Sequence, residues 1–156
     1  MEGARRAAES DLARLEELAA AALAELAGQE RGGRVFTTRE VGGRAMGEWL
    51  ADTASSIVVA GTFEDHVVGI GTGRVETLRD GAAHGTIEAL YVEPGARGVG
   101  VGEAMMGELL AWFGERGVVG VDAMALPGMR ETKNFFEANG FTARLLVVHH
   151  KMARDA

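Results

Sequence analysis

Apolar residues in the first third of the chain recur at a spacing of three or four positions, which is typical of one buried face of a helix. They are Leu12, Leu15, Leu18, Ala22 and Leu26. We therefore predict a first helix that is capped by Ser10 or Asp11 and ended by Gly28. A short strand is predicted before it, over Ala4–Ala8.

A second helix is predicted where Thr37–Glu40 has the pattern of a capping box. The residues of this helix that are expected to face inward are Val41, Ala45, Trp49 and Leu50. Gly42 and Gly43 weaken the pattern, because glycine is a poor helix former.

From Ser56 onward the pattern changes to short segments rich in β-branched residues. Three strands are predicted, at Ser56–Thr62, Val67–Leu78 and Thr86–Val92, with turn residues between them. Strands joined by such short turns form an antiparallel meander. Pro94 is expected to end the third strand, because proline cannot donate a ladder hydrogen bond.

The remaining segments alternate between helix and strand. We predict a helix over Gly102–Arg116, a strand over Val118–Met124, a helix over Arg130–Ala138 and a last strand over Arg144–Lys151. The buried face of the first of these helices is predicted to be Met105, Met106, Leu109, Leu110 and Phe113. The strand–helix–strand spacing predicts a parallel pair of strands. The chain is thus expected to be an α/β protein with a mixed sheet and helices on both faces, in one domain over residues 1–156.

Composition excludes several classes of function. The net charge of −7 argues against nucleic acid as a partner and is compatible with a cationic amine. The absence of cysteine excludes disulfides and thiolate metal sites, and it suits a cytoplasmic protein. The longest apolar runs are far shorter than a membrane span. We therefore expect no nucleic acid, no membrane and no metal.

The segment from Leu90 to Glu103 is the most informative stretch for function. A strand ends at Pro94, and a loop with alternating glycines then leads directly into a helix. Such a loop points successive N–H groups at one spot, where the helix dipole favours an anion. A Walker loop would need a Gly-Lys pair followed by Ser or Thr, and a dinucleotide fingerprint would need glycine where Glu103 stands. The remaining alternatives are another phosphate site and a glycine-rich turn that binds nothing.

The residues Arg97-Gly98-Val99-Gly100-Val101-Gly102 resemble the pyrophosphate loop of the GNAT acetyltransferases. Ile87–Pro94 resembles the fourth strand of that family and its exit. Asn134–Phe141 resembles its fourth helix with the Gly-Phe that follows, and Arg5–Asp11 resembles its opening. The resemblance implies a GNAT-like fold with a central mixed sheet of six to seven strands, flanked by about four helices.

The resemblance also implies which residues bind acetyl-CoA. The backbone amides of the loop would hold the pyrophosphate, through Arg97, Gly98, Val99, Gly100, Val101 and Gly102. Leu90, Tyr91 and Val92 would line the pantetheine arm, with the backbone groups of Leu90 and Val92 paired to it as if it were another strand. Asn134 would touch the coenzyme, and Phe136 would flank the thioester.

Catalysis needs a group that removes a proton from the amine, and the resemblance points to Glu88 acting through water. Strict alternation places Glu88 on the same face as Leu90 and Val92, unless a bulge breaks the alternation. Phe136 departs from the family, because a tyrosine that protonates the leaving thiolate often occupies this position. Solvent, the departing ammonium proton, or His149 or His150 would then supply the proton.

These residues predict an N-acetyltransferase that moves an acetyl group from acetyl-CoA to a primary amine by direct attack in a ternary complex. The absence of cysteine removes the usual acyl-thiol nucleophile. Two alternatives stay open: a non-catalytic acyl-CoA-binding or regulatory module, and a nucleotide-binding regulatory domain. The acceptor would be a small-molecule or peptide amine, with Arg31, Arg34, Phe36 and Trp49 as acceptor-side candidates. The family resemblance leaves open a homodimer.

Overall fold

Five strands form one sheet in the computed structural model of the chain, which describes residues 1–153. In chain order they are β1 (Glu2–Arg6), β2 (Ser56–Phe63), β3 (His66–Thr77), β4 (Ala83–Val92) and β5 (Val121–Ala123). The strands lie in the same order across the sheet. The pairs β1–β2, β2–β3 and β3–β4 are antiparallel, and β5 runs parallel to β4. The predicted meander and the predicted parallel pair are both confirmed.

Helices cover both faces of this sheet, as predicted. They are α1 (Leu12–Ala27), a single short turn α2 (Gly33–Val35), α3 (Met46–Ala51), α4 (Val101–Glu115) and α5 (Arg130–Ala138). On one face, residues of α1 and α3 pack against Val58 and Ile70. On the other face, α4 packs against Ile57 and Val59, with Phe136 of α5 in the same cluster. Within residues 1–153, no helix has the length and apolar character that crossing a membrane requires.

Glycines on β3 let α4 lie close to the sheet. A Cβ atom on Gly69 would come within 2.9 Å of Met105, and one on Gly73 within 2.8 Å of Phe113. Four helical residues rise about 6 Å, which is close to the roughly 6.6 Å spanned by two strand residues. The stripe Met105, Leu109 and Phe113 therefore follows the glycines at 69, 71 and 73 along the strand.

This stripe corrects the predicted buried face of α4. Leu110 is 36% exposed, although the sequence predicted it inside, and Trp112 is 2% exposed. Because successive helical residues are 100° apart, a stripe at 105, 109 and 113 turns position 110 toward solvent and brings position 112 inward.

The predicted start of the second helix is wrong. Phe36–Glu40 forms a wide π-helical turn, after which Val41 is extended, and α3 begins only at Met46. The hydroxyls of Thr37 and Thr38 donate backward to the carbonyl of Arg34, so neither caps a following helix. Two inward-facing residues are nevertheless confirmed, since Trp49 is buried and Leu50 packs beside it.

The predicted last strand is also absent from the described residues. Residues 141–153 have no regular secondary structure, and β5 is shorter than the predicted Val118–Met124. Over residues 1–153 the sheet consequently has five strands, and the expected six to seven were wrong. The physical reason is that a strand needs a hydrogen-bonded neighbour, and none lies beside Arg144–Lys151 within residues 1–153. A single domain over residues 1–156 stays a prediction.

Candidate active site

A bulge in β4 sets the direction of Glu88. Thr72 pairs with Ala89, and Gly73 pairs with Ile87, so Glu88 has no cross-strand partner. The extra residue shifts the alternation, and Ile87 and Leu90 both lie on the α4 face of the sheet. Glu88 therefore does not share a face with Leu90, and the parity expected without a bulge is wrong. The break that the sequence analysis allowed for is present.

The carboxylate of Glu88 lies near Arg74 and the loop before α3. Its Oε1 atom is 3.4 Å from Nε of Arg74 on β3, and a Cβ on Gly42 would lie 3.5 Å from the same oxygen. The side chain of Glu88 is 14% exposed. A largely buried carboxylate of this kind can accept a proton from a ligand that enters beside Gly42.

Beyond the bulge, one edge of β4 is open. The last residue of β4 that pairs with β5 is Ile87, opposite Ala123, whereas β4 continues to Val92. Within residues 1–153 no strand covers this stretch of edge. Between Glu88 and Val92, β4 therefore presents a backbone edge to which an extended ligand can be added.

The backbone groups of Leu90 and Val92 face this open edge. The N–H of Glu93 donates to the carbonyl of Val68 on β3. Since successive residues of an antiparallel strand direct their hydrogen-bonding groups to opposite sides, the groups of Leu90 and Val92 point away from β3. Tyr91 differs, because its backbone pairs with Ile70 and its ring packs in the cluster on the α1 face.

Two glycines shape the loop between β4 and α4. Gly98 has φ +83° and Gly100 has φ +94°, left-handed conformations that favour glycine. Gly100 caps α4, and its carbonyl accepts the first helical hydrogen bond, from Ala104. The first N–H groups of α4 thus point out of the helix end. This end lies on the β1 side of the sheet, since a Cβ on Gly100 would be 3.2 Å from the side chain of Glu2. This arrangement can hold an anionic group.

Side chains of the loop hold it against the sheet core. Val101 is 1% exposed and packs in the α4-side cluster, whereas Val99 is 41% exposed. Arg97 donates from Nε to the carbonyl of Val92 at 2.7 Å, and from a terminal nitrogen to Glu25 of α1 at 2.8 Å. Gly102 stands where a Cβ would be 3.5 Å from the ring of Phe135 on α5.

Two arginines make contacts that sequence reasoning did not find. Arg97 reaches Glu25, and Arg14 of α1 reaches both Glu93, at 2.7 Å, and the carbonyl of Val67, at 2.9 Å. The partners are more than fifty positions apart in sequence. No local sequence pattern distinguishes the residues that make these contacts from exposed charges.

The α5 residues occupy two different environments. Asn134 is exposed, while Phe136 is 9% exposed and packs with Phe135 and Phe141, whose ring centroids lie 5.9 and 5.3 Å from its own. Phe136 belongs to the cluster on the α4 face, and the structure does not bring it beside Glu88 on the opposite face.

The acceptor-side candidates also include both buried and exposed residues. Phe36 and Trp49 are buried, and the guanidinium of Arg44 lies 4.7 Å above the Trp49 ring. Hydrogen bonds from Ser55 and then from Arg44 hold the pKa of Asp52 well below its usual range. Arg31 and Arg34 are exposed.

Among the described residues, no group of three or more His, Asp or Glu side chains is placed to bind a metal.

Comparison with known proteins shows the family to which the chain is similar. A model described as "Acetyltransferase (GNAT) family" matches residues 16–141. The comparison with curated proteins gives no match.

Solved structures share the fold at low sequence identity. AAC(6')-Iy, solved with the bisubstrate analogue CoA-S-monomethyl-acetylneamine, has a TM-score of 0.72 and 13% identity, with 99% of each chain covered. An acetyltransferase from Clostridium acetobutylicum, described as predicted and solved with acetyl-CoA, has a TM-score of 0.70 and 15% identity, with 97% of this chain and 96% of that chain covered. A transcriptional regulator from Bacillus halodurans has a TM-score of 0.71 and 20% identity, with 97% and 100% covered.

Proposed function

Because the chain belongs to the GNAT acetyltransferase family, we propose that it is an N-acetyltransferase that moves the acetyl group of acetyl-CoA to a primary amine. The transfer occurs by direct attack in a ternary complex. The observation that carries the proposal is the open edge of β4, which leads directly into the glycine loop that caps α4.

Acetyl-CoA binds along this edge. The amides of Arg97, Gly98, Val99, Gly100, Val101 and Gly102 hold the pyrophosphate, a role supported by the left-handed glycines of the loop. Leu90 and Val92 pair with the pantetheine arm through backbone groups, and Tyr91 supports the strand from the other face. Asn134 contacts the coenzyme from α5, and Phe136 contributes an apolar wall near the thioester.

Glu88 removes the proton that the amine must lose before attack. An alkyl ammonium has a pKa near ~10.4, so most of the acceptor is protonated at neutral pH. Glu88 takes a proton from it through water, on the side of the sheet where Gly42 borders the carboxylate. The backbone N–H of Val92 or a neighbour donates to the carbonyl oxygen as charge develops there.

The leaving sulfur needs little help. As the new C–N bond forms and the C–S bond breaks, the electron pair leaves with sulfur as a thiolate. A thiol pKa of about 8.5 makes this a fair leaving group. Phe136 has no proton to give, so the ammonium proton, His149, His150 or solvent protonates the thiolate.

The acceptor is a small-molecule or peptide amine, and the reaction takes place in the cytoplasm. The bisubstrate analogue in AAC(6')-Iy joins CoA to an acetylated neamine, which shows that the shared fold can hold an amine acceptor beside CoA. The charge of −7 suits a cationic acceptor. Arg31 and Arg34 are the exposed candidates to border it, whereas Phe36 and Trp49 support that region from the core.

A non-catalytic acyl-CoA-binding or regulatory module is the second candidate. It is favoured by Phe136 in place of a proton-donating residue. A structural relative described as a transcriptional regulator supports it too. This alternative expects the same coenzyme binding but no turnover with any amine, and a panel of amines separates the two.

Calorimetric titration of acetyl-CoA into the protein and two variants tests the binding site. Gly102→Glu puts a carboxylate in the first turn of α4, where a Cβ makes ordinary contact with Phe135. Gly107→Glu adds the same group to the same helix, at a position with open space. Gly100 is unsuitable, because any side chain at φ +94° strains the loop.

The expected result is micromolar binding by the wild type, about −8 kcal/mol, that Gly102→Glu abolishes and Gly107→Glu keeps. The added carboxylate opposes the pyrophosphate by charge repulsion only at the first position. A folded wild-type protein that does not bind acetyl-CoA would refute the proposal. Turnover with a primary amine in the panel then decides between the enzyme and the binding module.

A further inference from the structure

Arg74 of β3 and Glu88 of β4 lie on the same face of the sheet. Gly73 faces α4, because a Cβ there would lie 2.8 Å from the ring of Phe113. Successive strand residues point to opposite faces, so Arg74 points to the face that α1 and α3 cover. The bulge in β4 turns Glu88 to this same face. The Nε atom of Arg74 consequently lies 3.4 Å from Oε1 of Glu88.

The guanidinium of Arg74 lies between two carboxylates. Its Nη1 atom is 3.6 Å from Oε2 of Glu76, which stands two residues further along β3 and so on the same face. Glu76 is exposed and Arg74 is half-buried, whereas the side chain of Glu88 is largely buried. The three side chains therefore form a row that runs from solvent to the enclosed carboxylate. Their net charge is negative, which favours the approach of a cationic amine.

The two oxygens of Glu88 have different surroundings. Burying a charge costs free energy unless the charge is paired, and Arg74 supplies the partner at Oε1. Within residues 1–153, no second side chain donates to this carboxylate, so Oε2 is the oxygen left to accept a proton. Oε2 also faces the loop before α3, since a Cβ on Gly42 would lie 3.7 Å from it. An arginine side chain stays protonated in proteins, so Arg74 does not compete for that proton.

We propose that Arg74 is a positioning residue, which holds Oε1 of Glu88 so that Oε2 faces the acceptor amine beside Gly42. Glu76 holds the guanidinium from its other side. This role rests on the proposed function, because it concerns the base of that transfer. The proton passes from the ammonium through water to Oε2, the carboxylate becomes a neutral carboxyl, and Arg74 keeps its own protons. Hydrogen bonds to catalytic groups are often long before the substrate binds, and they shorten in the complex.

A double-mutant cycle tests whether Arg74 acts through Glu88. Arg74→Ala, Glu88→Gln and the double variant are compared with the wild type, using the primary amine of the panel that the wild type acetylates fastest. Arg74→Ala is expected to lower kcat about tenfold, because a small misplacement of a catalytic group slows the reaction. The KM for acetyl-CoA should not change. In the Glu88→Gln chain the same substitution should have little further effect, since no base remains to be positioned.

Chemical rescue separates positioning from a general loss of structure. Millimolar guanidinium, which replaces the missing group, should restore part of the kcat of Arg74→Ala and none of that of Glu88→Gln. Arg74→Lys keeps the charge but has one nitrogen for two carboxylates, so its kcat should lie between those of the wild type and Arg74→Ala. Arg79→Ala, an exposed change just after β3, is the matched control and should keep the wild-type kcat. Circular dichroism checks that each variant is folded.

The outcomes distinguish this role from the proposed function. A slow Glu88→Gln beside an Arg74→Ala with the kcat of the wild type refutes the role of Arg74 alone. An equal loss from Arg74→Ala with and without Glu88→Gln also refutes it, because the arginine would then act independently of the base. A wild type without turnover refutes the proposed enzyme, and a Glu88→Gln with full kcat refutes its base. Either of these results ends the role of Arg74 as well.

Discussion

The guanidinium of Arg97 donates to the backbone carbonyl of Val92 across 2.7 Å. This hydrogen bond fixes the loop before α4 to the last residue of β4. The same guanidinium lies 5.4 Å above the ring of Tyr91 and binds Glu25 of α1. Strand end, loop and first helix therefore meet at one side chain. The proposed pantetheine and pyrophosphate contacts lie on either side of it.

Replacing Arg97 by alanine is expected to weaken acetyl-CoA binding about tenfold, without unfolding the protein. A hydrogen bond to a charged group contributes about 1.5–3 kcal/mol, and 1.4 kcal/mol is a factor of ten in affinity. Here that energy holds the loop in its binding conformation. The dissociation constant is measured by calorimetry, with circular dichroism as a check on folding.

Arg116→Ala is the matched control for that variant. Arg116 also lies over an aromatic ring, 4.8 Å from Trp112, and it also donates to a backbone carbonyl, that of Thr53. It stands at the opposite end of α4, so its loss should leave the affinity unchanged. Equal weakening in both variants would show that Arg97 acts through stability alone.

Glu88→Gln is expected to lower kcat by about 100-fold, because the amide keeps the shape of the carboxylate but cannot take a proton. Acetyl-CoA affinity should change little, since Glu88 lies on the α3 side of the sheet. Steady-state kinetics with a reactive amine measure the loss. Glu108→Gln, an exposed change on α4, is the control. A kcat equal to that of the wild type would exclude Glu88 as the base.

Local signals made most of the fold predictable. The helix predicted over Arg130–Ala138 has those bounds in the structure, because Asn139 and Gly140 end it, and Gly140 adopts φ +88°. The antiparallel meander was also predictable from the sequence, because short runs of turn residues separate its β-rich segments. Local contacts suffice to fix such elements, and their sequence patterns are therefore visible.

The missed features depend on contacts between distant residues. Thr37–Glu40 has the pattern of a capping box, but the threonine hydroxyls bond backward to Arg34. Arg97 finds Glu25 only because the fold brings α1 beside the loop. The bulge that turns Glu88 could be anticipated but not positioned, since it depends on the register between β3 and β4.

The ion pair between Arg5 of β1 and Asp11, the residue before α1, should make the free energy of unfolding depend on pH. Arg5 donates to both carboxylate oxygens of Asp11, at 2.7 and 3.0 Å, and the N–H of Ala8 donates to one of them. The hydrogen bond from Arg5 first, and that from Ala8, lower the pKa of Asp11 from its ordinary 3.8. A carboxylate with a lowered pKa stabilises the fold above that ordinary value, and the effect is lost as the pH falls through the folded-state pKa.

Asp11→Asn should therefore melt roughly 2–8 °C below the wild type at pH 7, for a loss of about 1–2 kcal/mol. The gap should narrow as the pH falls below 3.8, because the wild-type carboxylate then becomes protonated. Thermal melts across this range measure it. Glu16→Gln, at an exposed position of α1, should show no such gap. A gap for Asp11→Asn that is constant with pH would mean that the effect is packing and not charge.

Gly85 of β4 sets how closely α4 approaches the sheet, because a Cβ there would lie 2.5 Å from the ring of Phe113. Gly85→Ala is expected to cost about 1–3 kcal/mol through overpacking and to lower Tm by roughly 2–12 °C. Adding Phe113→Leu should recover part of that loss, because it removes the ring that the new methyl group meets. Gly107→Ala, at an open position of α4, should instead raise Tm slightly. If Phe113→Leu lowers Tm equally with and without Gly85→Ala, the two residues are not in contact, and α4 does not depend on this glycine for its approach.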